Sequence, residues 1–222
     1  MSELVEYDLH DGVATLRLDD GKANAMSLGM SQAIAAGLDR AAAEARVVVM
    51  LGRPGVLCGG FDLKVIRGGD ATERAAMVEG GMRLLERLYL LPQPLILGCT
   101  GHSVAAGGLL LLTGDVRIGV RGAFRLGLNE TTIGLSLPPA GLELARDRLL
   151  PTALTEATLL ARLYDPDAAA RVGYLDQAVD ADGFDDAIGA AAAAMLKLDA
   201  AAFATTKQRL RQATLARIAA AA

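Results

Sequence analysis

The segment Leu57-Cys-Gly-Gly-Phe-Asp-Leu63 decides the fold of this 222-residue chain, together with a second segment, Gly101-His-Ser-Val-Ala-Ala-Gly-Gly108. Each follows a short, continuously apolar run, Arg46–Leu51 or Leu95–Leu97, which indicates a strand buried on both faces of a parallel sheet. Glycine lets the main chain approach a ligand closely, and the backbone N–H groups at such strand-to-helix turns have no partner within the helix. Two turns of this kind are what a two-donor oxyanion hole requires, although the first alone is equally consistent with a plain turn.

The hydrophobic pattern outside these segments predicts an α/β chain with its strands first and its helices last. Alternation in Leu4–Leu9 and in Val13–Leu18, around Asp11-Gly12, predicts a β-hairpin. Ser27 is the expected N-cap of an amphipathic helix that ends near Ala45. We expect further strands at 116–120, 123–126 and 175–179, helices at 72–91, 107–113, 140–149, 154–162 and 166–172, and loops at 52–60 and 98–106.

The composition excludes several classes of protein. Lys and Arg total 22 against 26 Asp and Glu, and the resulting net charge of -4 argues against a nucleic-acid binder. A hydrophobic fraction of 52% with 22% charged residues is typical of a globular chain. We expect one domain, with a core over residues 1–180 and a C-terminal helical segment over residues 181–222.

The cysteines and the apolar stretches favour a cytoplasmic location. Cys58 and Cys99 belong to no CxxC or Cys/His cluster, so neither a disulfide framework nor a structural zinc site is expected. The stretch 88–114 has no charged side chain, but prolines and glycines interrupt it, which favours a strand, a turn and a helix over a membrane span. Because acids occur throughout residues 1–20, we expect no secretory signal.

Glu130 is the candidate catalytic acid. It lies in Gly127-Leu-Asn-Glu-Thr-Thr-Ile-Gly134 and is the one charged residue between positions 126 and 141. Burial among apolar neighbours disfavours the charged form of a carboxylate, so we expect a raised pKa in the range useful for proton transfer. The alternative is a solvated loop glutamate.

At these segments the chain resembles a known family, the crotonase or enoyl-CoA hydratase/isomerase superfamily, over roughly residues 4–179. Leu57–Leu63 is similar to the family's first signature. Gly101–Gly108, with Asp115 behind it, is similar to the second, a glycine-rich helix start closed by an aspartate. Lys22-Ala-Asn-Ala-Met-Ser27 is similar to the family's early Asn-Ala-Leu/Met-Ser element. The three elements occur in the family's order, which makes the match specific.

The resemblance implies a crotonase-like ββα spiral that binds an acyl-CoA thioester, here with a shortened C-terminal helical region, and a homotrimer or dimer of trimers. It implies that the backbone N–H groups of Phe61 and Ala106 form the oxyanion hole, and that no metal or other cofactor is required. Further substrate-binding residues implied by position are Lys22, Ala23, Asn24, Cys58, Gly59, Gly60, Asp62, Leu63, Gly107, Leu109 and Leu128.

Some of these residues have simpler interpretations. Lys22 is equally consistent with simple solvation, Asp62 with helix capping and Cys58 with packing. His102 lacks an evident acid partner, so we expect a hydrogen-bonded turn residue. We expect a structural role for Asp115.

Two positions separate the reactions known in the family. A hydratase typically uses two glutamates to hold and activate water, and the first of these positions is Leu109, which can neither accept a hydrogen bond nor transfer a proton. Glu130 lies in a segment that resembles the Asn-Glu-Thr segment of Δ3,Δ2-enoyl-CoA isomerases, which need one base. We therefore expect an isomerase. The alternatives are a hydratase in which Glu143 supplies the second acid, another acyl-CoA reaction, or a non-catalytic acyl-CoA-binding protein.

Overall fold

The computed structural model describes residues 4–221, and its chain repeats a unit of two strands and a helical segment. The strands are β1 Val5–His10, β2 Val13–Leu18, β3 Val47–Gly52, β4 Gly55–Cys58, β5 Leu95–Cys99, β6 Gly101–Val104, β7 Val116–Val120, β8 Leu126–Gly127 and β9 Gln177–Val179. The helices are α1 Leu28–Glu44, α2 Leu63–Gly68, α3 Ala71–Tyr89, α4 Ala106–Thr113, α5 Pro139–Arg148, α6 Pro166–Val172, α7 Phe184–Met195 and α8 Ala200–Ala221. Short 3-10 turns lie at Glu130–Ile133, Pro151–Ala153 and Ala181–Gly183, and a π-helical turn at Thr155–Leu159.

Two sheets run through the molecule. The larger sheet has the order β1-β2-β3-β5-β7-β9 and the smaller one the order β4-β6-β8. From β3 onward, each repeat places its first strand in the larger sheet and its second in the smaller one, and the successive strands pair in parallel. The predicted α/β class and the ββα spiral are confirmed.

The opening elements form for the local reasons that the sequence indicates. Asp11 and Gly12 both have positive φ values, +47° and +79°, as a tight two-residue hairpin turn requires. β1 and β2 pair antiparallel in register around that turn. The Ser27 hydroxyl accepts a hydrogen bond from the Met30 N–H at 3.1 Å and so caps α1. The predicted hairpin and cap are confirmed.

Two predicted loops are wrong, because each contains a strand. β4 lies within 52–60 and β6 within 98–106. Each strand has only four residues, too few for a hydrophobic period to show. Their backbones lie so close that a methyl group on Gly101 would be 2.0 Å from the carbonyl carbon of Gly55, so the glycines that suggested a loop permit strand contact instead.

Three other predicted elements differ in type or extent. The helix expected at 154–162 is instead the π-helical turn Thr155–Leu159, which follows the 3-10 turn Pro151–Ala153. The chain leaves that turn at Ala161, which has a φ of +50° and cannot continue a helix. The strand expected at 123–126 is Leu126–Gly127, and the one expected at 175–179 begins at Gln177.

The core has two parts, one on each face of the larger sheet. The main part joins both sheets to α1, α3 and α4, and a smaller part packs α7 against β3, β5 and β7. No single helix in residues 4–221 is long and apolar enough to cross a membrane; the segments Ala181–Met195 and Ala200–Ala220 meet that criterion only as a pair bent by 101°.

Buried ion pairs attach α8 to the main core. The Asp115 carboxylate accepts from the Lys207 ammonium at 2.6 Å and from the Arg211 guanidinium at 2.8 Å. The Lys207 and Arg211 side chains are 5% and 3% exposed, so both charges depend on Asp115 for compensation. The expected structural role of Asp115 is therefore visible as a link between the predicted 1–180 and 181–222 segments.

Candidate active site

A cavity of about 470 Å³ opens between α2, α3, α4 and the start of α5. Its walls are mainly apolar and are formed by Phe61, Ile66, Arg74, Val78, Leu109, Glu130, Leu135, Ser136 and Pro138. A smaller cavity shares four of these residues and adds the backbone turns after β4 and β6. Its further lining residues are Gly59, Gly60, Leu63, Val104, Ala105, Asn129 and Ile133. The structure thus brings both predicted glycine-rich turns and Glu130 to one place.

The first predicted oxyanion donor is the backbone N–H of Phe61. Gly60 has a φ of +97°, a value that favours glycine, and its carbonyl accepts from the Met26 N–H at 2.8 Å. Because the N–H and the carbonyl of a trans peptide point in opposite directions, the Phe61 N–H points away from Met26. The Phe61 N–H has no hydrogen-bond acceptor within residues 4–221.

The second predicted donor is the backbone N–H of Ala106, the first residue of α4, which has no intrahelical acceptor. Ala105 precedes it with φ +51° and ψ -122°, a conformation that costs a residue other than glycine about 1–3 kcal/mol. The Ala105 N–H donates to the Gly127 carbonyl at 2.9 Å, which holds this strained turn in place. Both candidate donors therefore directly follow a residue with positive φ.

The two turns lie against each other. A methyl group placed on Gly60 would lie 3.0 Å from the Ala105 Cβ and 3.8 Å from the Ala106 nitrogen. A methyl group on Gly107 would lie 2.1 Å from the Cys58 carbonyl oxygen. Glycine at these positions thus allows the start of α4 to pack directly against the end of β4, and the unused N–H groups of these two adjacent turns can stabilise a developing oxyanion.

The Glu130 carboxylate is buried at this cavity. The residue is 7% exposed, and its Oε2 atom has no hydrogen-bond partner within residues 4–221. Burial raises the pKa of Glu130 above its ordinary value, while the backbone N–H groups of Glu130 and Asn129 offset part of that effect. A raised pKa and a free carboxylate oxygen are the properties expected of a general base.

Leu109 also forms part of the cavity wall and is 1% exposed. Among the described residues that line the cavity, Glu130 is the one acid. Glu143, the other acid considered, does not line it and instead forms ion pairs with Arg217 at 2.6 Å and with Arg146. The Arg217 and Arg146 guanidiniums hold the pKa of Glu143 below its ordinary value. A carboxylate committed to two arginines is poorly suited to accept a proton.

Several other predicted site residues have clear structural roles. The Asn24 side chain is fully buried and donates to the Leu18 and Leu57 carbonyls at 2.9 and 3.2 Å. The Asp62 carboxylate accepts from the Lys64 N–H at 2.8 Å and caps α2. These contacts join the predicted Lys22–Ser27 element to β4 and orient the helix that follows Phe61.

The remaining predicted residues lie around the smaller cavity or behind it. Lys22 and Ala23 are exposed, and the Ala23 carbonyl accepts from the Gly59 N–H at 2.8 Å. Leu63 lines the smaller cavity, and Cys58, Gly107 and Leu128 are buried behind the two turns. Their contact with a substrate stays a prediction.

Neither His102 nor any cluster of metal-ligating side chains in the described residues forms a further catalytic or metal site. His102 is exposed on β6, and its Nδ1 atom accepts from the Arg125 N–H at 3.1 Å. The expected hydrogen-bonded role of His102 is confirmed, although it lies on a strand rather than in a turn. No group of three or more His, Cys, Asp or Glu within residues 4–221 is arranged to hold a metal ion.

The sequence reasoning missed Arg74 as a residue of the cavity wall. Arg74 lies in the first turn of α3, and its guanidinium donates to the Ile66 carbonyl at 3.1 Å. The Asp70 carboxylate accepts from the Glu73 N–H and caps α3, so an Asp three residues before a Glu marks where that helix begins. No sequence signal shows that α2 turns back and brings Arg74 to the cavity.

Several known proteins are similar to this chain in sequence and in fold. The sequence model of the family described as enoyl-CoA hydratase/isomerase matches residues 8–221. A probable enoyl-CoA hydratase of Rhodobacter capsulatus is 32% identical, over 92% of this chain and 79% of that protein. The mitochondrial enoyl-CoA delta isomerase 1 of Homo sapiens is 28% identical, over 97% of this chain and 72% of that protein.

A solved structure extends the similarity to the whole fold. The crystal structure of an enoyl-CoA hydratase/isomerase family protein from Pseudomonas syringae superposes with a TM-score of 0.95 and 42% identity, covering 99% of this chain and 95% of that one. The resemblance to the crotonase fold is thereby confirmed. On its sequence, its ββα spiral and these relatives, the chain belongs to the enoyl-CoA hydratase/isomerase family.

Proposed function

We propose that this protein is an enoyl-CoA isomerase that converts a 3-enoyl-CoA into the conjugated 2-enoyl-CoA. The observation that carries this proposal is that Glu130 and Leu109 line the same apolar cavity. Glu130 supplies a buried carboxylate with a free oxygen, and Leu109 supplies hydrocarbon where a hydratase needs a second acid.

The proposed reaction is a proton transfer within the substrate. Glu130 removes a proton from C2 of the 3-enoyl-CoA, and the electron pair of that bond delocalises through the double bond and the thioester carbonyl. The Phe61 and Ala106 N–H groups donate to the carbonyl oxygen as it gains negative charge. The protonated Glu130 then returns the proton to C4, which leaves the double bond between C2 and C3 and consumes no water.

The magnitudes are adequate for such a step. A preorganised oxyanion donor is worth about 3–4 kcal/mol of transition-state stabilisation, and a positioned base contributes about 10²- to 10⁴-fold in rate. The strained Ala105 and the positive φ of Gly60 fix the two donors before the substrate arrives, so little reorganisation is needed during the reaction.

The proposal is tested with two buried glutamates that differ in position. Purified wild type, Glu130→Gln and Glu143→Gln are compared for kcat with 3-hexenoyl-CoA. We expect Glu130→Gln to lose about 10²-fold or more, because the amide cannot accept the proton. Glu143→Gln is the matched control, because Glu143 lies outside the cavity, and should lose far less. Equal rates for Glu130→Gln and wild type would overturn the proposal.

Hydration is the second candidate reaction, because one of the similar proteins carries the name of a probable hydratase. A hydratase adds water across a 2-enoyl-CoA and is typically served by two carboxylates, whereas one lines this cavity within residues 4–221. Water addition to 2-hexenoyl-CoA by wild type would favour this reaction over isomerisation. Binding of acyl-CoA without turnover of either substrate would favour the binding-protein alternative.

We also propose that the protein assembles as a homotrimer or a dimer of trimers, as the family resemblance implies. Exposed leucines beside the site support an interface: Leu150, Leu159 and Leu160 are 51%, 67% and 69% exposed. The Leu159 carbonyl accepts from the Thr131 hydroxyl at 3.2 Å, so this surface contacts the turn that holds Glu130. Light scattering should give a trimer or hexamer mass, and a monomer at micromolar concentration would refute the assembly.

A further inference from the structure

Arg74 is the one basic residue among the described residues that line the main cavity. It is half-buried, and it lies with Phe61, Val78 and Leu109 in a wall that is mainly apolar. An arginine at this place is unexpected for a pocket that receives only an alkyl chain, because a guanidinium against hydrocarbon loses hydration that a single carbonyl partner replaces only in part.

The guanidinium of Arg74 has donors to spare. An arginine carries five N–H donors, and the Ile66 carbonyl accepts the one hydrogen bond that this side chain makes within residues 4–221. No carboxylate of the same residues forms an ion pair with it. Because Ile66 also lines the cavity, this hydrogen bond keeps the guanidinium beside the cavity wall.

The acid in the same cavity does not neutralise Arg74. The Arg74 guanidinium donates to the Ile66 carbonyl and not to Glu130, and the Glu130 Oε2 atom has no hydrogen-bond partner within residues 4–221. The cavity therefore holds two separate polar groups, the candidate base at one place and an unneutralised cation at another. A volume of about 470 Å³ is within the range of small-molecule sites, about 300–1,000 Å³.

We propose that the cavity receives acyl-CoA thioesters whose acyl chain ends in a carboxylate, and that Arg74 binds that terminal carboxylate. This rests on the proposed function in that the acyl chain enters from the oxyanion turns and passes Glu130. Guanidinium and carboxylate form paired, charge-assisted hydrogen bonds, which fix both the position and the orientation of the chain end. A methyl-ended chain would leave the same guanidinium without an anion.

Saturated thioesters test this proposal without any turnover. Wild type is titrated by calorimetry with pairs of equal length: adipoyl- and hexanoyl-CoA, suberoyl- and octanoyl-CoA, sebacoyl- and decanoyl-CoA. At one of these lengths at least, the carboxylate-ended ligand should bind about tenfold more tightly or better, the scale of one desolvated charge-assisted contact. Equal Kd values within all three pairs would overturn the proposal.

Three variants assign the preference to Arg74. Arg74→Met should abolish it, and Arg74→Lys should keep part of it, because the ammonium retains the charge without the fork of donors. Arg83→Met is the matched control on the same helix, since Arg83 lies outside the main cavity, is 70% exposed and pairs with Glu79. A preference that survives in Arg74→Met, or disappears in Arg83→Met, would overturn the assignment.

The outcome is separable from that of the isomerase proposal. A preference for carboxylate-ended ligands in a protein that isomerises neither 3-hexenoyl-CoA nor its carboxylate-ended counterpart would refute the isomerase and leave this site standing. Isomerase activity with equal Kd values within every pair would do the reverse. Failure of all six thioesters to bind would overturn this site and the acyl-CoA substrate together.

Discussion

Replacing Glu130 with glutamine should stabilise the protein at neutral pH while it removes activity. The wild-type carboxylate is 7% exposed and has one oxygen without a partner within residues 4–221, so folding takes a charge out of water that the backbone N–H groups of Glu130 and Asn129 compensate only in part. Glutamine has nearly the same shape and no charge. The variant therefore isolates the free-energy cost of the buried charge.

The size of the effect follows from the burial and the missing partner. A buried, unsatisfied polar group costs about 1–3 kcal/mol. Glu130 lines an open cavity rather than the packed core, so we expect a gain of about 1–2 kcal/mol in the free energy of unfolding. For a chain of this size that corresponds to a rise of about 2–8 °C in Tm.

The gain should depend on pH in a defined direction. Because burial raises the folded-state pKa of Glu130 above the unfolded value of 4.5, wild type has its full stability below that value and loses it as pH rises through the folded pKa. The variant lacks this titration. The difference between the two proteins should therefore be large at pH 7.5 and vanish near pH 4.

Urea denaturation followed by circular dichroism at both pH values measures the difference. Glu143→Gln is the matched control with the opposite sign: its arginine partners lower the pKa of Glu143, so that contribution is present at neutral pH and is lost as pH falls. We expect Glu143→Gln to lose about 0.5–1 kcal/mol at pH 7.5. A Glu130→Gln protein that is no more stable than wild type at pH 7.5, or equally stabilised at pH 4, would refute the reasoning.

Three further substitutions test the rest of the account. Gly107→Ala places a methyl group 2.1 Å from the Cys58 carbonyl oxygen, about 1.3 Å closer than ordinary contact at 3.4 Å. The backbone must shift to relieve this clash, and the displaced N–H of the adjacent Ala106 should cost about 10²-fold in kcat. The control variant Gly189→Ala, which has open space around it, should keep the wild-type rate. Asp115→Asn leaves the charges of Lys207 and Arg211 buried without their anion, and the free energy of unfolding measured in urea should fall by about 3–5 kcal/mol. A fall of less than about 1 kcal/mol would contradict the role of this ion-pair cluster in attaching α8. Leu109→Glu places a second carboxylate in the cavity wall and should give measurable hydration of 2-hexenoyl-CoA. If wild type already hydrates this substrate at the same rate, Leu109 does not prevent the hydratase reaction.

Local rules were sufficient for the opening hairpin, for the start of α1 and for the burial of Glu130. Asp11-Gly12 requires two positive φ values that suit a two-residue hairpin, and Ser27 supplies the hydroxyl that caps α1. The uncharged stretch around Glu130 correctly predicts a buried carboxylate with a raised pKa. In each case the cause lies within a few residues of the effect.

Features that depend on distant contacts were beyond the sequence. β4 and β6 are too short to show a hydrophobic period, and their pairing depends on the close approach of Gly55 and Gly101. Lys207 and Arg211 meet Asp115 across 92 and 96 positions of sequence. No local pattern encodes such a pair.

The cavity combines both kinds of feature. Phe61, Leu109 and Glu130 were predicted from motifs, whereas Arg74 lies in the wall because the chain after Gly69 places the first turn of α3 against Ile66 of α2. A methyl group on Gly69 would lie 2.7 Å from the Val65 carbonyl oxygen. Such a turn is visible only when both helices are in place.

The most direct test of the central claim is to incubate wild-type protein separately with 3-hexenoyl-CoA and 2-hexenoyl-CoA and to follow each by absorbance and by mass. A single base in a cavity that Leu109 also lines predicts that the 3-enoyl substrate gains the absorbance of a conjugated thioester with no change in mass, while the 2-enoyl substrate gains no water. Addition of the mass of one water to the 2-enoyl substrate, with no isomerisation of the other, would contradict the claim.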